Sequence, residues 1–356
     1  MKLTDFRSLG RSGLIVSPLC LGTMTMGTPK WGSPDDVSEA IFNAYVDAGG
    51  NFIDTADAYA NGRSEELVGQ YTAKRSLRDR LVLATKFTMS MGEHAGNPNG
   101  GANGRKNMYR ALEGSLKRLG TDYVDLYWMH AWDTVTPPEE ILQSLGDLVR
   151  AGKIRYFGFS DVPAWYAAKV CTLAAAHGVP GPIALQLEYS LVERNIEREH
   201  VDCAHECGMG ITPWSPLASG FLAGKYKRGA DEKGAGEGRL SVLASGENPV
   251  FHKYTGKNWK VLEALREVAE ETDKPMAQVA LAWTLARPGV TSLIVGATKV
   301  HQLEDNIEAQ TVTLTPAQMT KLSQTSDLEP AHPYMFFKGM LRRDRVFGGT
   351  NVTGWR

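Results

Sequence analysis

The feature that most constrains this chain is a rhythm. Short runs rich in β-branched and aromatic residues alternate with segments of helical periodicity, and the runs fall at 19–23, 52–55, 81–86, 124–129, 155–160, 183–188, 210–214 and 293–296. Most are apolar nearly throughout, as strands covered on both faces are. Between them, 36–48 gathers Val37, Ala40, Ile41, Ala44 and Tyr45 on one helical face, and 108–119 does the same with Met108, Leu112, Leu116 and Leu119. Pro137 and Pro138 open a further helix that closes near Gly152. Eight strands alternating with helices predict an α/β protein folded as a (β/α)8 TIM barrel. An open doubly wound sheet is the rival, but no G-x-G-x-x-G follows any of the runs, and Gly220-Phe221-Leu222-Ala223-Gly224-Lys225 has the wrong spacing for a Walker A loop. With no linker or internal repeat, residues 1–356 are expected to form a single domain.

Before the first run, 3–9 and 13–16 predict a β-hairpin around Gly10-Arg11-Ser12 that closes the bottom of the barrel. Long segments at 90–104, at 224–257 and from about 329 onward follow strands 3, 7 and 8. Long loops on the C-terminal face are where barrels place function, so these are expected lids and substrate loops. The 39 basic and 40 acidic residues leave a net charge of −1, which argues against nucleic acid or an anionic membrane as partner. Residues 1–7 lack the apolar core of a signal peptide, no apolar run is membrane-spanning in length, and four cysteines are too few for a disulfide framework. The expected compartment is the cytoplasm.

Polar residues gather where the apolar runs end: Asp54, Lys86, His130, Ser160-Asp161, Gln186 and Trp214-Ser215, with Tyr59 just beyond the second run. Charges at the ends of buried strands are costly unless paired, so their convergence predicts a site. A lysine beside a tyrosine favours the phenolate and is expected to lower the phenol from about 10 towards the working range. An aspartate would hold that lysine charged, and a histidine would orient a carbonyl oxygen. Such a set suits proton transfer at a carbonyl or alcohol oxygen. The carbon then needs a hydride, which side chains do not supply, so a nicotinamide cofactor is implied and no metal.

The segments Phe52-Ile53-Asp54-Thr55-Ala56-Asp57-Ala58-Tyr59, Asn61-Gly62-Arg63-Ser64-Glu65, Leu83-Ala84-Thr85-Lys86 and Arg118-Leu119-Gly120-Thr121-Asp122-Tyr123-Val124-Asp125-Leu126 leading to His130 resemble the aldo-keto reductase superfamily, over essentially the whole chain, and are similar to its bacterial-type, potassium-channel β-subunit-like branch. The resemblance implies Tyr59 as general acid/base, tuned by Lys86 and Asp54, with His130 positioning the carbonyl. It also implies a cofactor site. Gly158-Phe159-Ser160-Asp161 resembles the family's Gly-Val-Ser-Asn, which with the glutamine matched by Gln186 grips the carboxamide; Asp161 departs from that pattern, since an ionised carboxylate accepts but does not donate. Trp214 stands where a ring stacks on the nicotinamide. Ser215, Pro216, Leu217, Ser219 and Gly220 resemble the pyrophosphate loop, with Lys225 and Arg239 as its basic residues, and Gly22 and Thr23 are counted with the cofactor site. Gly296, Thr298, Lys299, Gln302, Asp305 and Asn306 resemble the adenosine-phosphate pocket; Gln302 stands where some members carry arginine. Lys299 favours NADPH/NADP+, with NADH as the alternative.

The expected activity is hydride transfer between NADPH and an aldehyde or ketone, with a small carbonyl or alcohol substrate and oligomerisation left open. An NADPH-sensing regulatory subunit of the same fold is the alternative. His200, Cys203, His205 and Cys207 match no zinc spacing, so the thiols are read as packing. Trp128, Met129 and Trp132 are read as pocket lining, with core packing an equal reading of Trp128, and Tyr334, Phe336 and Phe337 as a cap on the site or else an anchor for the terminus.

Overall fold

The computed structural model describes residues 2–29, 31–229, 234–236, 238–244, 248–337 and 339–353. A hairpin of β1 (Arg7–Ser8) and β2 (Ile15–Val16) comes first. The repeat follows: β3 (Leu19–Gly22), α1 (Asp35–Asp47), β4 (Phe52–Asp54), α2 (Arg63–Lys74), β5 (Val82–Phe87), α3 (Arg105–Leu119), β6 (Val124–Met129), α4 (Pro138–Arg150), β7 (Ile154–Ser160), α5 (Ala164–His177), β8 (Ala184–Gln186), α6 (His200–Cys207) and β9 (Gly210–Ile211). An excursion inserts β10 (Lys227–Arg228), β11 (Gly234–Ala235) and α7 (Arg239–Leu243) before α8 (Gly256–Thr272), α9 (Met276–Leu285), β12 (Leu293–Val295), α10 (Val300–Glu308) and α11 (Pro316–Thr325). The parallel sheet runs β12-β3-β4-β5-β6-β7-β8-β9. Its two edges meet: Thr291 N–H donates to Ile211 O at 2.8 Å and Ile294 N–H to Pro213 O at 2.9 Å. This is the expected (β/α)8 barrel.

The twofold alternation of strands explains which side chains reach the mouth. One core packs inside the barrel, from Cys20, Phe52, Val82, Ala84, Leu126, Trp128, Ala184 and Ile294. Two residues further along the same faces lie Asp54, Lys86, His130 and Gln186. The residues between them (Ile53, Leu83, Tyr127, Leu185) point outward into the larger core beneath the helices. In register, Asp54 pairs with Ala84, Lys86 with Trp128, and Ser160 with Gln186. Gly158 is glycine for want of room: a Cβ there would stand 2.4 Å from the Trp128 ring. At the bottom, Leu9, Leu14 and Val16 of the hairpin plug the barrel.

Several boundaries differ from the sequence reading. The first hairpin strand is only Arg7–Ser8, because Asp5 N–H donates to Lys2 O at 3.0 Å and folds the preceding residues into a turn. The seventh strand stops at Ile211, short of 214, and the chain carries Pro213, which has no N–H for a ladder. Helix α3 begins at Arg105, three residues before 108, after the long segment 90–104. Among the described residues no helix is long and apolar enough to cross a membrane.

Candidate active site

At the mouth, the buried Lys86 ammonium donates to Asp54 Oδ2, to Thr55 O at 3.0 Å and to the Tyr59 hydroxyl at 3.0 Å. All three ammonium protons are thereby used. The second Asp54 oxygen accepts from Gln186 Nε2 across the barrel at 3.0 Å. Tyr59 is delivered by a turn stitched to β5, where Thr55 N–H donates to Ala84 O at 2.9 Å and Asp57 N–H to Lys86 O at 3.2 Å. His130 is held by its backbone N–H on Phe87 O at 3.0 Å and on Thr88 Oγ1 at 3.1 Å. Its ring meets Tyr59 edge-on, centroids 5.9 Å apart, and its Nδ1 is buried without a partner.

Burial works against the Lys86 charge, but Asp54 and Tyr59 outweigh it and raise the ammonium above its ordinary value. His130 is pushed down to about 3 by burial and then by Lys86, so it stays a neutral imidazole. Tyr59 corrects an expectation: its phenol stands above the usual 10, because burial outweighs the pull of Lys86 and Asp54 adds to the cost of a phenolate. The lysine's charge is already shared with the aspartate.

A layer behind this cluster was not singled out from sequence. Glu65 is fully buried, accepting from Thr85 Oγ1 and pairing with Arg118 Nε at 2.6 Å. Asp57 lies beside it with Oδ1 unpartnered, and is pushed up to about 7 by burial and then by Glu65. Glu65 and Arg118 both stand in the motifs that carry the family resemblance; one further buried carboxylate so close to Lys86 was the missing signal.

On the opposite side of the mouth, Asp161 adopts a left-handed backbone (φ 45) and accepts from Trp214 Nε1–H at 3.2 Å. Its side chain is exposed at the cleft, yet the protein around it displaces enough water to raise its carboxyl to about 6 although Trp214 opposes this. Ser215, Ala218, Ser219 and Gly220 then have φ of 50, 49, 56 and 88, a succession that turns backbone N–H groups into an anion-binding concavity. At Gly220 a Cβ would stand 2.9 Å from Lys225 Cε, so glycine lets the lysine lie across the loop. Ser219 Oγ and Arg239 Nε are buried without partners. Arg239 stacks over Trp31 at 4.5 Å and Phe251 at 5.3 Å, and burial lowers both it and Lys225. Neither cation has an ion-pair partner among the described residues. An exposed lysine and a half-buried arginine without ion-pair partners, beside a backbone concavity and an orphaned hydroxyl, fit a phosphate-bearing cofactor.

The remaining residues are less closely gathered. Gly22 ends β3 and Thr23 follows it, its hydroxyl donating to Asp54 O at 3.1 Å and sharing a hydrogen bond with Ser64 Oγ at 2.8 Å. Leu217 is half-buried and Pro216 buried in the concavity. Thr298 donates through N–H and Oγ1 to Gln302 Oε1 at 2.9 and 3.1 Å, so Gln302 closes the turn before α10. Gly296, Lys299 and Asp305 are exposed there and Asn306 is buried. Tyr334 does not cap the site: its hydroxyl donates to Glu199 at 2.8 Å beneath Arg198, tying the tail to the start of α6, while Phe336 and Phe337 stay exposed. Trp132 packs edge-on against Trp165 at 5.6 Å. Cys203 bonds Ala164 O at 3.4 Å, and among the described residues no group of His, Cys, Asp and Glu is placed to hold a metal ion.

The aldo/keto reductase family model matches residues 18–327. A protein named aryl-alcohol dehydrogenase NADP(+), from Phanerodontia chrysosporium, is 35% identical over 342 residues, which cover 91% of this chain and 86% of that protein. A norsolorinic acid reductase from Emericella nidulans is 35% identical over 332 residues, 91% of this chain and 82% of its own. A probable voltage-gated potassium channel subunit beta from Oryza sativa subsp. japonica is 36% identical over 337 residues, 92% and 98% of the two chains. With the barrel and its mouth, these likenesses mean that the chain belongs to the aldo/keto reductase family.

Proposed function

We propose that this chain is a carbonyl oxidoreductase that interconverts an aldehyde or ketone and its alcohol, with NADPH/NADP+ as cofactor and Tyr59 as general acid/base. The observation that carries the reading is the Lys86 ammonium, which touches the Asp54 carboxylate and the Tyr59 hydroxyl at once. When bound, the cofactor supplies the hydride. Ser160, Asp161, Gln186 and Trp214 would hold its nicotinamide, the 215–220 concavity with Lys225 and Arg239 its pyrophosphate, and Thr298, Lys299 and Asn306 its adenosine phosphate, assisted by Gly22, Thr23, Gly296, Gln302 and Asp305. Residues 1–356 would serve as one domain.

Reduction needs a proton at the substrate oxygen. Tyr59 holds that proton, and a phenol above its usual pKa keeps it until an oxyanion develops beside it. Lys86 then stabilises the phenolate left behind, and Asp54 keeps the ammonium aimed. Neutral His130, its Nδ1 already without a protein partner, can donate from one ring nitrogen to the same oxygen without adding a charge. In the oxidising direction the steps reverse, with Tyr59 as base.

Tyr59→Phe is expected to cut turnover by about 10³-fold or more while NADPH affinity stays within about threefold. Turnover close to the parent would reject the assignment. The relative named as a channel subunit keeps a second reading open, a cofactor-sensing regulatory subunit. A panel of aromatic aldehydes separates the two: sustained multiple turnover supports the enzyme, a single stoichiometric turnover the sensor.

A further inference from the structure

Asp161 is a carboxylate at a place where the family resemblance leads one to expect a neutral amide, and its surroundings are specific. Its Oδ1 accepts from the indole N–H of Trp214 at 3.2 Å, so the carboxylate lies in line with the edge of that ring. Its backbone is fixed on both sides: its N–H donates to Gln186 O at 3.3 Å, and its carbonyl accepts from Trp132 N–H at 3.2 Å. The backbone bonds fix the position of the residue, and the indole N–H holds its carboxylate at the edge of the Trp214 ring. The charged groups facing it are few. Lys86 on β5 lies near but is already bound to Asp54, Glu188 beyond β8 repels it, and Lys253 is committed to Glu188 at 2.8 Å. Ser160 on β7 and Trp214 beyond β9 are its neutral partners. No cation among the described residues neutralises it directly.

We propose that ionised Asp161 discriminates the oxidation state of the nicotinamide, holding the cationic oxidised ring on Trp214 more tightly than the neutral reduced one. The inference rests on the reading that a nicotinamide stacks on Trp214. The two forms of the cofactor have the same phosphates, riboses and adenine and differ only in the nicotinamide ring, where the positive charge of the oxidised form is the difference a carboxylate can read. A negative group at the edge of the stacking platform attracts the pyridinium and gains nothing from the dihydropyridine. Tighter binding of the oxidised form also lowers the potential of the bound couple and so favours reduction of the carbonyl, each tenfold in the affinity ratio being about 30 mV for a two-electron couple.

The test is equilibrium binding of NADP+ and of NADPH, each by quenching of tryptophan fluorescence, to the parent protein and to Asp161→Asn. Asparagine tolerates the left-handed backbone of this position. The ratio Kd(NADPH)/Kd(NADP+) at pH 8 is expected to fall by about tenfold in the variant. In the parent the same ratio is expected to fall as pH drops through and below about 6, where the carboxyl protonates. The 2′-phosphate titrates in that range too, but it is common to both forms and cancels in the ratio. An unchanged ratio in Asp161→Asn, or a parent ratio flat from pH 8 to pH 5, overturns the proposal. The parent pH series decides it alone if the variant does not fold. Failure of either form to bind would instead overturn the nicotinamide reading itself, which separates the two claims.

Discussion

On the β4–β5 side of the mouth, the charged groups sit on strands and on the helices that follow them, and all but Asp57 find a counter-charge inside the protein. Lys86 is closed by Asp54, and Glu65 by Arg118. On the β9–β12 side the cations Lys225, Arg239 and Lys299 sit on loops or at a helix start, the backbone turns left-handed four times between Ser215 and Gly220, and buried polar atoms stay unpartnered. The main charges of the first region are paired within the protein; the cations of the second have no ion-pair partner among the described residues. The contrast fits the proposed division of labour, with proton handling preset by strands and cofactor binding assembled from backbone amides and long side chains.

The comparison breaks most visibly at Lys86. Lys86→Met strands the buried Asp54 carboxylate, and the expected loss is about 3–5 kcal/mol of stability by denaturant unfolding, with turnover falling below detection. Asp54→Asn in the same chain removes the stranded charge and should restore most of the stability but none of the turnover. If the double variant is no more stable than Lys86→Met, the ion pair is not what closes this region.

The reacting set was legible because strands impose a period of two. Once Phe52, Ala84 and Trp128 are inward, Asp54, Lys86 and His130 must be as well, and the runs of apolar residues reveal that without coordinates. The direction of the Tyr59 shift was not legible, because it depends on how much protein surrounds the phenol and on Asp54 competing for the same lysine. Contacts between distant loops were equally hidden. Nothing in the sequence pairs Arg239 with Trp31, or Tyr334 with Glu199, since both contacts join irregular segments far apart in the chain.

Within the preset half, Asp57 is the exception that sharpens the contrast. Its carboxyl stands at about 7 in the folded chain against about 4 for an exposed aspartate, so the native state holds an extra proton between those values. The stabilisation is complete below the unfolded value and is lost as pH rises through about 7. Asp57→Asn should therefore gain about 1–3 kcal/mol over the parent at pH 8 and little at pH 4, measured by urea unfolding at both. A pH-independent difference would mean that the unpartnered Oδ1 matters through packing.

In the binding half, Lys299 is exposed at the start of α10 and faces solvent on the side where Thr298 and Gln302 close the turn. Lys299→Ala is expected to weaken NADPH by about three- to tenfold, more at low salt than at high, and to leave NADH unchanged. Equal losses for both cofactors would place the 2′-phosphate elsewhere.

The smallest expected effect tests how far the binding half is preset at all. Arg239 Cζ sits over the Trp31 ring, 4.5 Å from its centroid, with Met24 Sδ 3.5 Å from its Nη2, so the excursion after β9 is fastened to the loop after β3. A guanidinium over an indole is held by about 0.5–2 kcal/mol, enough to fix its direction before any phosphate arrives. Trp31→Ala removes the platform and keeps the charge. NADPH affinity should then fall by about two- to fivefold, mostly through faster release seen by stopped-flow fluorescence, because ordering the arginine becomes part of binding. Arg239→Ala should lose more, since the charge goes as well. If Trp31→Ala leaves release unchanged while Arg239→Ala accelerates it, the stack is only packing, and the loop-borne cations owe their positions to the ligand alone.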